Sequence, residues 1–355
     1  MSYFANPRFS RVALAALCGL ALLGCGPQFD PPSELKSLRI LAVQKDEPYA
    51  KAGDTVNLSM LWQDASPKHL DAQGNPRPIQ ITWDSACVNP PGDLYFGCFP
   101  QLAQATLAQL GTGDQFSVTI PTDIIHASGD PKQPPYGTAF VFFAACAGTI
   151  TPVVPTEDSP LPFACKDPNS GALLGSEDFV AGYSTIYVFN DFTNSNPVLT
   201  DASQQGHFTF QAQTFDATCV DASCLTLASP TDPCASPGDA RCVPICADDG
   251  DVQKCTGYDL KPVIDGTLPA NAEADTAAEL DYGRAYDEEM WIDYYADHGN
   301  FSPPVKLLRD AQTGFSAAYD TKFYAPKDAG PIQVWAVVHD NRGGVSWEGF
   351  TLGAK

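Results

Sequence analysis

Residues 330–347 read GPIQVWAVVHDNRGGVSW. Ile332, Val334, Ala336 and Val338 recur with period two, and Val345 and Trp347 resume the pattern after Asp340-Asn341-Arg342-Gly343-Gly344. Two apolar strands separated by Asn and Gly, residues that tolerate positive φ, predict a β-hairpin. The same alternation runs through Val56, Leu58, Met60 and Trp62, and again through Ile79, Ile81 and Trp83. It returns in Phe116, Val118 and Ile120, then in Ser184–Asn190, and once more in Met290, Ile292 and Tyr294. Phe140–Phe143 is apolar throughout, as expected of a strand covered on both faces. Gln101–Leu110 is at best a short helix. Many short strands between Gly/Pro-rich turns predict an all-β protein, a sandwich.

The 355 residues are enough for two domains, with three as an option. Asp54–Asp64 resembles Asp287–Asp297: each alternates and carries an acid at both ends. In each half a strand ends at a proline, Pro121 or Pro326, and a Gly-led apolar strand follows. This order predicts two copies of one sandwich, 38–190 and 191–355, with a hinge at Asn194–Pro197.

Apolar residues make up 44% of the chain, which supports packed cores. Asp and Glu number 42 against 20 Lys and Arg, a net charge of −22, which repels phosphate backbones and excludes nucleic acid as a partner. Arg8 and Arg11 precede the uncharged run Val12–Leu23. That run is too short for a stable span and reads as the core of a signal peptide, 1–24. The following Gly26–Ser37 reads as a Pro-containing tether, so the anchor and tether together occupy 25–37.

Twelve cysteines suit an exported chain. Cys18 falls in the signal segment. Cys87 and Cys98 flank a turn-rich loop and are expected to pair; Cys146 and Cys165 bracket a Pro-rich loop and are expected to pair. Cys219, Cys224, Cys234, Cys242, Cys246 and Cys255 form a Cys-rich insertion, 215–258, whose three bridges the spacing leaves open. Zinc is disfavoured there, because the segment has no C-x2-C pair and no histidine.

Leu22-Leu23-Gly24-Cys25 resembles the bacterial lipobox. The resemblance implies lipid on the Cys25 sulfur, palmitate on its amine, and attachment to a membrane. The absence of Asp after the cysteine implies the outer membrane. The hairpin 335–347 resembles the last strand pair of bacterial immunoglobulin-like modules, and LRILAVQKDEPYAKAGDTVNLSMLW (38–62) resembles their first two strands. As a whole the chain is similar to bacterial cell-envelope lipoproteins with immunoglobulin-like modules. That implies two immunoglobulin-like antiparallel β-sandwiches with a disulfide-rich insertion, and it carries over no catalytic residue.

No motif for chemistry stands out. His69, His126, His207, His298 and His339 form no H-E-x-x-H, and no G-x-S-x-G is present. Asp248-Asp249-Gly250-Asp251 has two readings: a solvated acidic turn, or a calcium loop through Asp248, Asp249 and Asp251. The missing EF-hand spacing favours the turn. A second acidic run, Glu273–Asp297, reads in the same two ways. Trp291 and Tyr295 share one strand face and Tyr294 takes the other, so an exposed aromatic strip is expected if the first face is not core. The sequence therefore favours a non-catalytic role in binding, adhesion or envelope structure, with an envelope protein or a polysaccharide as partner. The alternative is a carbohydrate-active or other hydrolase carrying β-sandwich modules. A concave site gathering two acids, or Ser with His, would separate them.

Overall fold

Two pairs of facing, largely antiparallel sheets and one separate two-stranded ribbon build the described chain. A computed structural model describes residues 32–70, 77–127, 134–156, 161–226 and 231–355. The signal segment, Cys25 and the tether as far as residue 31 lie outside the described residues. Among the described residues no helix is long and apolar enough to cross a membrane.

The first sandwich uses β1 (Leu38–Lys45), β2 (Tyr49–Ala50), β3 (Thr55–Asp64), β4 (Gln80–Val88), β5 (Gly111–Thr112), β6 (Gln115–Thr119), β7 (Gly137–Cys146), β8 (Thr149–Pro152), β9 (Phe163–Lys166) and β10 (Phe179–Val188). One sheet has the order β1-β3-β6 and the facing sheet β2-β10-β7-β4-β5. Val56, Leu58 and Met60 from the first meet Trp83, Val141 and Ile186 from the second in one core.

The second sandwich uses β11 (His207–Phe210), β12 (Gln213–Asp216), β13 (Cys219–Val220), β14 (Cys242–Val243), β15 (Gly257–Pro262), β16 (Met290–Ala296), β17 (Asn300–Ser302), β18 (Val305–Asp310), β19 (Gly314–Phe315), β20 (Thr321–Tyr324), β21 (Gly330–Asp340) and β22 (Val345–Ala354). Its sheets run β12-β11-β15-β20-β17 and β13-β22-β21-β16-β18-β19, with β14 also on β22. The fold is thus all-β, with two immunoglobulin-like sandwiches.

Both sandwiches repeat one plan. β1, β3 and β6 correspond in order to β11, β15 and β20; β4, β7 and β10 correspond to β16, β21 and β22. The matched passages Pro121-to-β7 and Pro326-to-β21 therefore occupy equivalent places. The other half of the expected repeat does not. Asp54–Asp64 forms β3, in the sheet facing β7, whereas Asp287–Asp297 contains β16, which pairs directly with β21. Alternation reports that a strand is covered on one face; it does not say which sheet the strand joins.

β21 and β22 are covered on both faces. Val334, Ala336, Phe350 and Leu352 fill the second sandwich. Trp335, Val337, Val345 and Trp347 pack on Leu41, Ala42 and Leu61 from the first and on Leu35, which precedes β1 and donates its N–H to the Ala296 carbonyl. The expected hinge is instead bonded on both sides. Asn194 is buried and donates to Asp340, while Asn196 donates to the Lys45 carbonyl and accepts from the Val345 N–H.

Disulfides join Cys87 to Cys98 and Cys146 to Cys165. Their loops cover the outer face of β7, where Phe140 and Phe142 form a satellite cluster with Leu102. In the second sandwich the bridges are Cys219–Cys224, Cys234–Cys242 and Cys246–Cys255. Two of them lie against β22. A Cβ at Gly349 would sit 2.5 Å from Cys219 Sγ, and one at Gly353 would sit 2.8 Å from Cys234 Sγ. Glycine is what lets the cross-linked segment approach the strand.

Candidate functional site

A groove of about 460 Å³ lies where the first sandwich meets the β21–β22 turn. Its floor is set by strand pairing. β1 bonds to β3 along one edge. β10 bonds to β7 along its whole length, but β2 reaches only Tyr187 and Val188. Among the described residues, Phe179–Ile186 therefore keeps one edge without a partner strand. Ile40, Val43 and Phe143 supply the apolar wall, and residues 341–345 supply the roof.

Lys45 crosses this gap. Its Nζ donates to the Thr185 carbonyl at 2.9 Å, and burial pushes its pKa down to about 8 while the nearby Asp340 pulls it back up. Tyr183 and Tyr187 stand on β10 at the lip, 42% and 40% exposed. Tyr95 stacks on Tyr183 with ring centroids 4.5 Å apart. Beside them Leu94 and Phe96 are more than half exposed. Sequence reading missed this aromatic surface. Its signal is the Tyr183/Tyr187 spacing of four residues, which on a strand keeps both rings on one face.

The expected strip on β16 is absent. Tyr294 is core and donates its hydroxyl to the Tyr319 carbonyl at 2.7 Å. Trp291 stacks on His339 at 5.1 Å, and Tyr295 packs into the cluster between the sandwiches.

The roof is a polar knot. Asp340 accepts from the N–H groups of Arg342 and Gly344 and from Asn194. The Arg342 guanidinium reaches Glu273 at 2.6 Å and Glu288 at 2.7 Å, with both Arg342 and Glu288 almost fully buried. Burial lifts the Glu288 pKa to about 7, against the opposing pull of Arg342.

Asp248 and Asp251 share one ammonium, and Asp249 turns to another. Lys254 takes Asp248 at 3.0 Å and Asp251 at 3.5 Å, while Lys327 takes Asp249 at 3.2 Å. Each carboxylate pairs with an ammonium, the arrangement of an ion-paired acidic turn, the reading that the missing EF-hand spacing favours. In the run Glu273–Asp297, Glu273 and Glu288 serve Arg342, and Asp287 serves Arg309. Among the described residues no group of three His, Cys, Asp or Glu is placed to hold a metal.

The histidines are held by acids or a carbonyl. His69 is buried between Asp64 and Asp178, at 2.5 and 2.7 Å. His207 lies 3.2 Å from both Asp201 and Asp216, His298 3.2 Å from Asp297, and His339 3.3 Å from Asp293. His126 meets the Ile124 carbonyl at 3.4 Å.

Two further acids, besides Glu288, are perturbed without a catalytic setting. Asp221, at the positive φ of 43°, lines a second cleft of about 470 Å³. Its carboxylate accepts from the Trp347 N–H and from Gln44, so it staples β22 to β1, and burial lifts its pKa to about 6. Glu348 is fully buried, and neither oxygen has a hydrogen-bond partner among the described residues. Burial, with Asp221 nearby, drives its pKa well above the ordinary carboxylate value, so it is held neutral.

A pH profile follows from these groups. Asp221, Glu288 and Glu348 bind their protons more tightly folded than unfolded, so their stabilisation is complete below the unfolded pKa and is lost as pH rises through the folded one. Urea midpoints should fall as the pH is raised from mildly acidic to about 7, the window set by Asp221 and Glu288. Lys45 acts oppositely, adding stability as pH rises above about 8. A midpoint that is constant across this range would show that these carboxyls are not desolvated.

No protein-family model matches the chain, and no curated protein does. Among solved structures, the chain aligns with fibronectin(III)-like modules of Clostridium thermocellum CbhA at 9% identity and TM-score 0.20, covering 88% of this chain and 93% of that one. It aligns with the D0-D1 domain of intimin at 9% identity and TM-score 0.16, covering 89% and 96%. The Yersinia pseudotuberculosis adhesin InvE aligns at 9% identity and TM-score 0.18, covering 92% of this chain and 62% of that one. Likenesses at such TM-scores carry no argument about function, and the immunoglobulin-like plan rests on the strand order of each sandwich.

Proposed function

We propose that the chain is a non-catalytic binding protein of the bacterial cell envelope, held to the outer membrane by lipid on Cys25. Two sandwich domains, 38–190 and 191–355, present the binding surface, and the insertion 215–258 braces the second. The partner is an envelope protein or a polysaccharide. The observation that carries the binding reading is the groove beside β10: apolar walls, exposed Tyr183 and Tyr187, and no carboxylate among its lining residues. Its volume falls in the range of ligand pockets, about 300–1,000 Å³, and its lining mixes apolar side chains with Lys45, Ser184, Thr185, His339, Asn341 and Arg342 in near-equal measure. The perturbed acids lie elsewhere: Asp221 holds β22, Glu288 holds the roof and Glu348 is fully buried, which argues against hydrolysis.

The test has two arms. Labelled palmitate should enter the full chain in a bacterial host and should not enter the Cys25→Ser variant. A photo-crosslinking residue at position 187 should capture one recurrent envelope component, whereas the same residue at exposed Val154 should not. Absence of label from the wild type removes the anchor, and identical capture at both positions removes the groove as the binding surface.

A further inference from the structure

The unpaired edge of β10 specifies what the groove can take. Within a strand, N–H and C=O groups of alternate residues point to the same edge. The Thr185 carbonyl points toward β1, where Lys45 meets it. Ala181 and Tyr183 share its parity, so their N–H and C=O groups face the groove. No strand pairs with them there among the described residues, since β7 occupies the opposite edge and β2 stops at Tyr187. On the far side β1 presents an edge without a partner strand among the described residues, because β3 takes the other; this edge is closed at its two ends, where the Leu38 N–H donates to the Glu177 carbonyl at 3.1 Å and the Lys45 carbonyl accepts from Asn196. The gap between these two edges opens onto Ile40, Val43 and Phe143.

We propose that this gap receives an extended peptide that adds to β10 as a strand and carries a carboxylate toward Lys45. The inference rests on the binding reading above and names its ligand. A row of donors and acceptors at strand spacing is matched by another peptide backbone; a saccharide has no such repeat. Apolar side chains at alternate positions of the peptide face Ile40, Val43 and Phe143, and the intervening ones pass Tyr183 and Tyr187. The ionisable side chains lining the groove, its two tyrosines aside, are Lys45, His339 and Arg342, with no acid among them, in a chain with 42 acids and 20 Lys and Arg. Arg342 is already committed to Glu273 and Glu288, and His339 to Asp293. Lys45 has a carbonyl as its hydrogen-bond partner, and Asp340, the carboxylate that acts on it, is itself tied up by the Arg342 and Gly344 N–H groups and Asn194, so Lys45 is the basic group of the groove with no direct carboxylate contact among the described residues.

The experiment uses the full chain in detergent and the probe acetyl-Thr-Val-Thr-Val-Thr-Val-Asp with a free carboxylate. Saturating probe should slow hydrogen exchange at the Ala181 and Tyr183 amides by about tenfold or more, as new backbone bonds do. Probe N-methylated at alternate residues should not bind. Lys45→Gln should weaken the acidic probe by about tenfold, one charged hydrogen bond, and leave its uncharged Asn-carboxamide version unchanged. Ala181→Pro, which removes one edge N–H on the side away from β7, should abolish binding. Equal binding of the N-methylated probe, or unchanged exchange at both amides under saturation, overturns strand addition. So does protection of Tyr183 by cellohexaose with none by the peptide. Continued capture at position 187 alongside a silent peptide would overturn the strand mode alone and leave the binding reading standing.

Discussion

Replacing Arg342 with methionine lowers the unfolding free energy by about 3–5 kcal/mol, the cost of stranding one member of a buried ion pair. Glu288 loses its charged partner while only 1% of its side chain is exposed, and Asp340 remains beside it. The loss also frees Glu273 and the carbonyls of Thr193 and Ala274, to which the guanidinium donates. The sign of the pH dependence identifies the cause. Without Arg342, Glu288 protonates more readily, so the deficit shrinks as pH falls toward 5. Adding Glu288→Gln to Arg342→Met should recover part of the loss. Urea unfolding of the single and double variants checks both statements. A loss under about 1 kcal/mol, the level of an exposed pair, would mean that the knot is solvated.

Trp347→Ala is expected to cost about 3–5 kcal/mol and to split unfolding into two steps. Trp347 is fully buried in the cluster between the sandwiches, and its indole N–H donates to the Asp221 carbonyl at 2.8 Å. Its backbone N–H meets the Asp221 carboxylate at 3.0 Å. Truncation leaves a cavity facing Leu41, Ala42 and Leu61, which are β1 and β3 residues of the other sandwich. Each sandwich retains its own core, so the contact between them is what weakens. Intrinsic fluorescence and far-UV circular dichroism during a urea titration should cease to coincide in the variant. Coincident transitions at the wild-type midpoint would show that this cluster does not couple the halves.

The strands were legible because each carries its own evidence. Val56, Leu58 and Met60 alternate whether or not their partners are known, and the turn at Asp340–Gly344 announces itself through Asn and Gly. The site was not legible in that way. Nothing near Tyr183 in sequence shows that β2 stops after two residues and leaves the β10 edge open, since an edge is a property of pairing between distant segments. Lys45 reads as an ordinary surface lysine until Thr185, 140 residues away, is found under its ammonium. The acids misled for a related reason. Asp248, Asp249 and Asp251 look like a ligand set along the chain, and the lysines that disperse them include Lys327.

Period-two patterning and turn chemistry act within a few residues, so the linear order of residues was sufficient to imply an all-β chain with two sandwiches and cross-linked loops. The bridges among the six close cysteines join neighbours along the chain, at separations of 5, 8 and 9 residues, whereas which sheet each strand joined and which acids lost their water depended on contacts between distant segments, such as Gln44 with Asp221. Folding in three dimensions settled those, because burial and edge pairing are set by whatever covers a residue, and that cover came from the other half of the chain.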